Sequence, residues 1–102
     1  MVREQEMICT EALKETLANE FPVSNYSLNG YKEDAVCLQR EGENWIVYVG
    51  YRSKKDDLKS YTNIVEACLE VIRSITGGNA TIISSLSDSF FSKIVVGAAK
   101  TA

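Results

Sequence analysis

The sequence predicts an α+β fold of two layers, a small antiparallel sheet of three or four strands packed against two or three helices. Three observations predict it. Cys9, Leu13, Leu17 and Phe21 recur every four residues, Trp45, Val47, Val49 and Tyr51 alternate with period two, and Ile64, Cys68, Val71, Ile72 and Ile75 return to helical spacing. A chain of 102 residues with 45% apolar composition and one proline is the size of one domain and too hydrophobic for a disordered segment, so residues 1–102 are expected to share one core.

The first element is an amphipathic helix from about Arg3 to Glu20, with Ile8 and Ala12 widening its apolar stripe and Pro22 stopping it. Tyr26 and Leu28 then alternate with polar neighbours, which predicts a first strand ending near Asn29-Gly30. Ala35 to Arg40 reads as a second strand, Glu41-Gly42-Glu43-Asn44 as a hairpin turn, and Trp45 to Tyr51 as a third strand with Ile46 and Tyr48 on its opposite face. The charged stretch Arg52 to Ser60 reads as a loop or an extended hairpin tip.

Ser60 or Thr62 is the expected N-cap of the second helix, which Gly77-Gly78 ends. The order is therefore α-β-β-β-α plus a C-terminal element of open type. Ala80 to Ser84 fits a short fourth strand, and Asp88 to Lys100 fits a last helix against the β-branched run Ile94-Val95-Val96.

Composition narrows the function. Fourteen acidic residues oppose eleven basic ones, and the acid is concentrated early, nine against four in the first 43 residues and five against seven in the rest. An acid excess argues against direct nucleic-acid binding and for basic or neutral protein partners. Three widely spaced cysteines, Cys9, Cys37 and Cys68, sit among apolar residues without a C-x-x-C pair, as buried thiols in a reducing compartment do. With no opening signal segment and no uninterrupted apolar run of membrane-spanning length, the expected location is the cytosol, with no membrane partner.

The chain has no histidine, the commonest general base near neutral pH and the commonest zinc ligand. No serine lies in a G-x-S-x-G elbow. Gly77-Gly78-Asn79 lacks the lysine of a phosphate loop, and Glu33-Asp34 and Asp56-Asp57 lack the alternating ligand spacing of a calcium loop. The expectation is a binding protein with no enzymatic activity, metal or cofactor. Tyr26, Tyr31, Trp45, Tyr48 and Tyr51 cluster on the strands; most serve the core, but whichever sheet face the helices leave uncovered becomes a candidate docking surface.

Gly30-Tyr31-Lys32-Glu33-Asp34-Ala35-Val36-Cys37-Leu38, then Trp45-Ile46-Val47-Tyr48, then Glu66-Ala67-Cys68 together resemble bacterial polymorphic-toxin immunity proteins of the contact-dependent inhibition type. The resemblance spans residues 26 to 75. It implies a cytosolic antidote that binds one cognate secreted toxin domain, often a nuclease, and blocks its active site or a surface it needs.

An acidic inhibitor associates faster with a basic target, so the expected rim charges are Glu33, Asp34, Glu41, Glu43, Asp56 and Asp57, with Tyr48 and Tyr51 as anchors. Two other readings stay open. One is a regulatory or adaptor module or a secretion chaperone; the other is an unusual enzyme or small-molecule binder using Asp, Glu, Lys or Tyr. Monomer and homodimer are equally compatible with the sequence.

Overall fold

The computed structural model describes residues 2–101, and the side chains of residues 4–99. Helix α1 (Val2–Ala18) is followed by a 3-10 turn (Val23–Asn25) and strands β1 (Tyr26–Ser27), β2 (Val36–Glu41), β3 (Asn44–Tyr51) and β4 (Lys54–Tyr61). Helices α2 (Ile64–Ile75) and α3 (Ala80–Thr101) complete the chain. The α+β architecture is the one expected, a four-stranded sheet in the order β1-β2-β3-β4 with three helices.

The sheet is mixed where an antiparallel one was expected. β1 runs parallel to β2, with Tyr26 opposite Val36 and Ser27 opposite Cys37, while the other pairs are antiparallel. The reason lies in residues 28–35, which leave β1, pass over the outer face of the sheet, meet β3 at a Glu33–Gly50 bridge, and return into β2. The crossing is backbone-close: the Asp34 N–H donates to the Gly50 carbonyl at 2.7 Å and the Gly50 N–H to the Ala35 carbonyl at 2.9 Å.

Three expectations for the later chain are corrected. Residues 80–84 are no strand but the first turns of α3, where the Asn79 Oδ1 accepts from the Ile82 N–H at 3.1 Å and so caps the helix. The fourth strand is instead Lys54–Tyr61, read from sequence as a loop or an extended hairpin tip because its side chains are nearly all exposed and show no alternation. The N-cap of α2 is Asn63, one residue beyond the expected Thr62, with its Oδ1 accepting from the N–H groups of Val65 and Glu66.

The main core lies between the sheet and the helices. Leu13 and Leu17 of α1, Val71 and Ile72 of α2 and Phe90 of α3 meet Leu38 and Val47 of the sheet, all at 2% exposure or less. Full burial of each such side chain contributes roughly 1.5–3 kcal/mol. On the outer face a smaller cluster of Ala35, Cys37, Ile46 and Tyr48 is sealed by the crossing segment and by Lys55, whose ammonium stands 5.3 Å from the Tyr48 ring centroid. All three cysteines are free and buried, and burial pushes each thiol up, Cys68 the furthest.

Glu70 ties the edge strand to the helical layer. Its carboxylate accepts from the Lys59 Nζ at 3.2 Å, the Tyr61 hydroxyl at 3.1 Å and the Arg73 Nε at 3.1 Å. Burial alone pushes this carboxyl up, but the donors from Arg73, Lys59 and Tyr61 outweigh it and hold it below the usual glutamate value. The stabilisation is therefore present above the ordinary carboxylate range and is lost as pH falls through it. Glu70→Ala is expected to lower unfolding free energy by about 1–2 kcal/mol at neutral pH in denaturant titrations, with the gap to the parent shrinking towards pH 3.

α3 is long and apolar enough over residues 80–99 to cross a membrane by length and composition, and only about a tenth of that stretch is buried. Serines interrupt its apolar residues, which is why no continuous apolar run stands out in the sequence. In this fold its inner residues Leu86 and Phe90 pack into the main core.

Candidate functional site

The helices cover one face of the sheet, so the surface open to a partner is the outer face and the edge at β4. Tyr31 lies on this face, its ring stacked on that of Tyr48 with centroids 6.2 Å apart. On β4, Lys59 reaches Glu70 on the helical side, so strand alternation turns Leu58 to the outer face, at the bulge across from Tyr48. Tyr31 is 41% exposed and Leu58 47%. These two half-open side chains flank a buried tyrosine, beside an edge strand whose far side has no partner strand.

The edge carries the features by which sheets discourage indiscriminate pairing. β4 is rich in lysine, and a bulge breaks its register between Val47 and Val49, where Asp57 takes a φ of 53°. Selective docking on side chains suits such an edge better than simple strand addition.

The expected site residues are not all brought together. Glu33, Asp34, Tyr51, Asp56 and Asp57 gather at the end of the sheet near the β3–β4 turn, whereas Glu41 and Glu43 stand at the opposite end, beside the β2–β3 turn. Seven residues of β3 separate the two ends, roughly 23 Å at strand rise. The six acids therefore form two separate clusters, one at each end of the sheet. Tyr48 is corrected as an anchor: it is 1% exposed, lies beneath Tyr31, and its hydroxyl donates to the Gln39 Oε1 at 2.6 Å. Tyr51 is 47% exposed, with the Arg52 guanidinium 5.2 Å from its ring centroid, and strand alternation turns it to the face opposite Tyr48.

Glu33 has a structural duty that the sequence reading missed. Arg52 and Ser53 form the two-residue β3–β4 turn with φ of 51° and 64°, an arrangement usually given to Asn-Gly or Gly-Gly. The Glu33 carboxylate accepts from both turn N–H groups, Arg52 at 2.6 Å and Ser53 at 3.1 Å, and from the Tyr31 hydroxyl. Its three donors, Tyr31 first and then the two turn amides, hold its carboxyl below the usual value. The hydrogen bond to Glu33 in turn pushes Tyr31 up to about 12.

Because the Tyr31 phenol is raised in the folded chain, its stabilising bond is complete below about pH 10 and is lost as pH rises towards 12. In a spectrophotometric phenolate titration, Tyr31 is expected to ionise near pH 12 in the parent and nearer pH 10 in Glu33→Gln. Subtraction of the Tyr31→Phe curve isolates its signal from that of Tyr48, which burial also pushes up to about 12.

Tyr31 and Leu58 are the surface residues that sequence reasoning left out of the site. Tyr31 stood in the aromatic set, but its position over Tyr48 depends on the crossing segment. Leu58 is the lone large apolar residue in a charged stretch, Lys54-Lys55-Asp56-Asp57-Leu58-Lys59, and that contrast was the available signal. Among the described residues no group of three or more cysteine and carboxylate side chains is placed to hold a metal ion. Comparison with protein-family models, with curated proteins and with solved structures finds no match to this chain.

Proposed function

We propose that this chain is an immunity-type inhibitor that binds a cognate toxin domain through the outer face of its sheet and neutralises it by steric and electrostatic blocking. The observation that carries the reading is the pair Tyr31 and Leu58 on the outer face, 41% and 47% exposed, with the Glu33 carboxylate accepting from the Tyr31 hydroxyl. An aromatic anchor bordered by a carboxylate suits a partner with a basic rim, as a nuclease active site has. The resemblance of residues 26 to 75 to immunity proteins supports the same reading, since the residues that carry it include the crossing segment and the strands beneath this patch.

The reading is tested by placing a photo-crosslinking amino acid at position 58 and irradiating cells of the chain's own organism, with position 66 on α2 as the control. One protein with a secreted, cell-killing enzyme domain is expected to be joined at 58 and absent at 66. Equal yields at the two positions, or housekeeping subunits at 58, would support the adaptor reading and remove this one.

A further inference from the structure

α1 and α3 pack against each other and leave a groove of about 540 Å³ lined by residues of these two helices alone. At Gly97 the two helices are close, and an added Cβ there would lie 3.0 Å from the Ile8 side chain. Met7 and Val96, 66% and 51% exposed, give the groove an apolar surface. Glu4, Glu11 and Glu15 line its α1 side, and none of them forms an ion pair among the described residues. Lys93 lines the α3 side with its ammonium donating to the Ser89 hydroxyl at 2.8 Å.

We infer that this groove is a docking site for a basic amphipathic helix of a protein partner, distinct from the partner of the sheet face. From Glu4 to Glu15 the acidic wall runs three turns, about 16 Å, the reach of a short helix laid along it. An apolar stripe on that helix covers Met7 and Val96, and lysine or arginine on its flank meets the three carboxylates. A second copy docked by this face with α1 against α1 would bring the acidic wall of one chain near that of the other, at a repulsive cost. An anionic bilayer meets the same repulsion. Three carboxylates on the α1 side against the single Lys93 on the α3 side select a cationic occupant, and the site does not depend on the immunity reading.

The test uses the full chain, isotope-labelled, and an 18-residue synthetic helix with leucine on one face and lysine on the other. Amide shifts are expected at Met7, Glu11, Val96 and Gly97 and not at Leu58. Glu11→Lys/Glu15→Lys and, separately, Val96→Glu are expected to weaken binding about tenfold or more, while Leu58→Ala leaves it unchanged. Each variant's melting curve is recorded so that lost binding is read only on folded protein, and the shift map of the parent needs no substitution.

Shifts elsewhere, or undiminished binding by the charge-reversed chain, overturn the inference. So does a Val96-dependent dimer in sedimentation equilibrium, which assigns the groove to a second copy. Flotation of the chain with phosphatidylcholine vesicles, abolished by Val96→Glu, assigns it to a lipid surface and equally overturns it.

Discussion

Replacing Phe90 by alanine is expected to lower the unfolding free energy by about 3–5 kcal/mol, the range for removing a buried aromatic ring. Phe90 has no exposed surface and joins the main core from α3, in a segment otherwise largely open to solvent. Against a total stability on the order of 5–15 kcal/mol, this single loss leaves many molecules of the variant unfolded on warming. A fall in melting temperature of roughly 15–30 °C is expected by circular dichroism. Phe91, the next residue, is 44% exposed, and Phe91→Ala is expected to cost less than about 1 kcal/mol. Equal effects of the two substitutions would show that α3 is not seated as described.

Gly50→Ala is expected to cost about 3 kcal/mol, at the upper end of overpacking penalties. Its added Cβ would lie 2.1 Å from the Lys32 carbonyl oxygen, a backbone atom with no rotamer to relieve the contact. The crossing segment must lift, and with it go the hydrogen bonds of Gly50 to Asp34 and Ala35 and the cover over Tyr48. The expected result is a loss of stability in denaturant titrations. Gly42→Ala is the matched control: that glycine has a φ of 61° but open space around its Cβ position, so about 1 kcal/mol is expected from backbone strain alone.

The elements that were legible in the sequence are those in which burial follows a regular period. α1 and α2 each bury one face, the β2–β3 hairpin buries apolar residues on both of its faces, and Leu13, Leu17, Val71, Ile72 and Val47 fall in the core as their spacing requires. β4 was illegible for the opposite reason: as an edge strand with exposed side chains, it is held by backbone pairing to β3 and by Glu70, neither of which leaves a hydrophobic pattern. α3 was obscured by β-branched residues at both its ends, Ile82-Ile83 and Ile94-Val95-Val96, whose strand preference tertiary packing and the Asn79 cap override.

The same division holds for the candidate site. Tyr51 and the turn carboxylates were readable because turns expose their charges. The burial of Tyr48 was not, because the ring that covers it arrives from Tyr31, 17 residues earlier, on a segment whose course is fixed by a glycine on another strand. Glu33 was misread as a free rim charge since the amides it binds lie 19 and 20 residues away, in a turn lacking the usual glycine. In both cases the deciding contact is long in sequence and backbone-mediated.

The central claim, that the outer sheet face neutralises a toxin, is tested most directly by a survival assay. The enzyme domain crosslinked at position 58 is expressed inside bacteria, alone and together with this chain. The expected result is killing by the domain alone, survival with the parent chain, and killing again with a folded Tyr31→Ala/Leu58→Glu variant. A domain that does not kill, or full protection by that variant, would contradict the account.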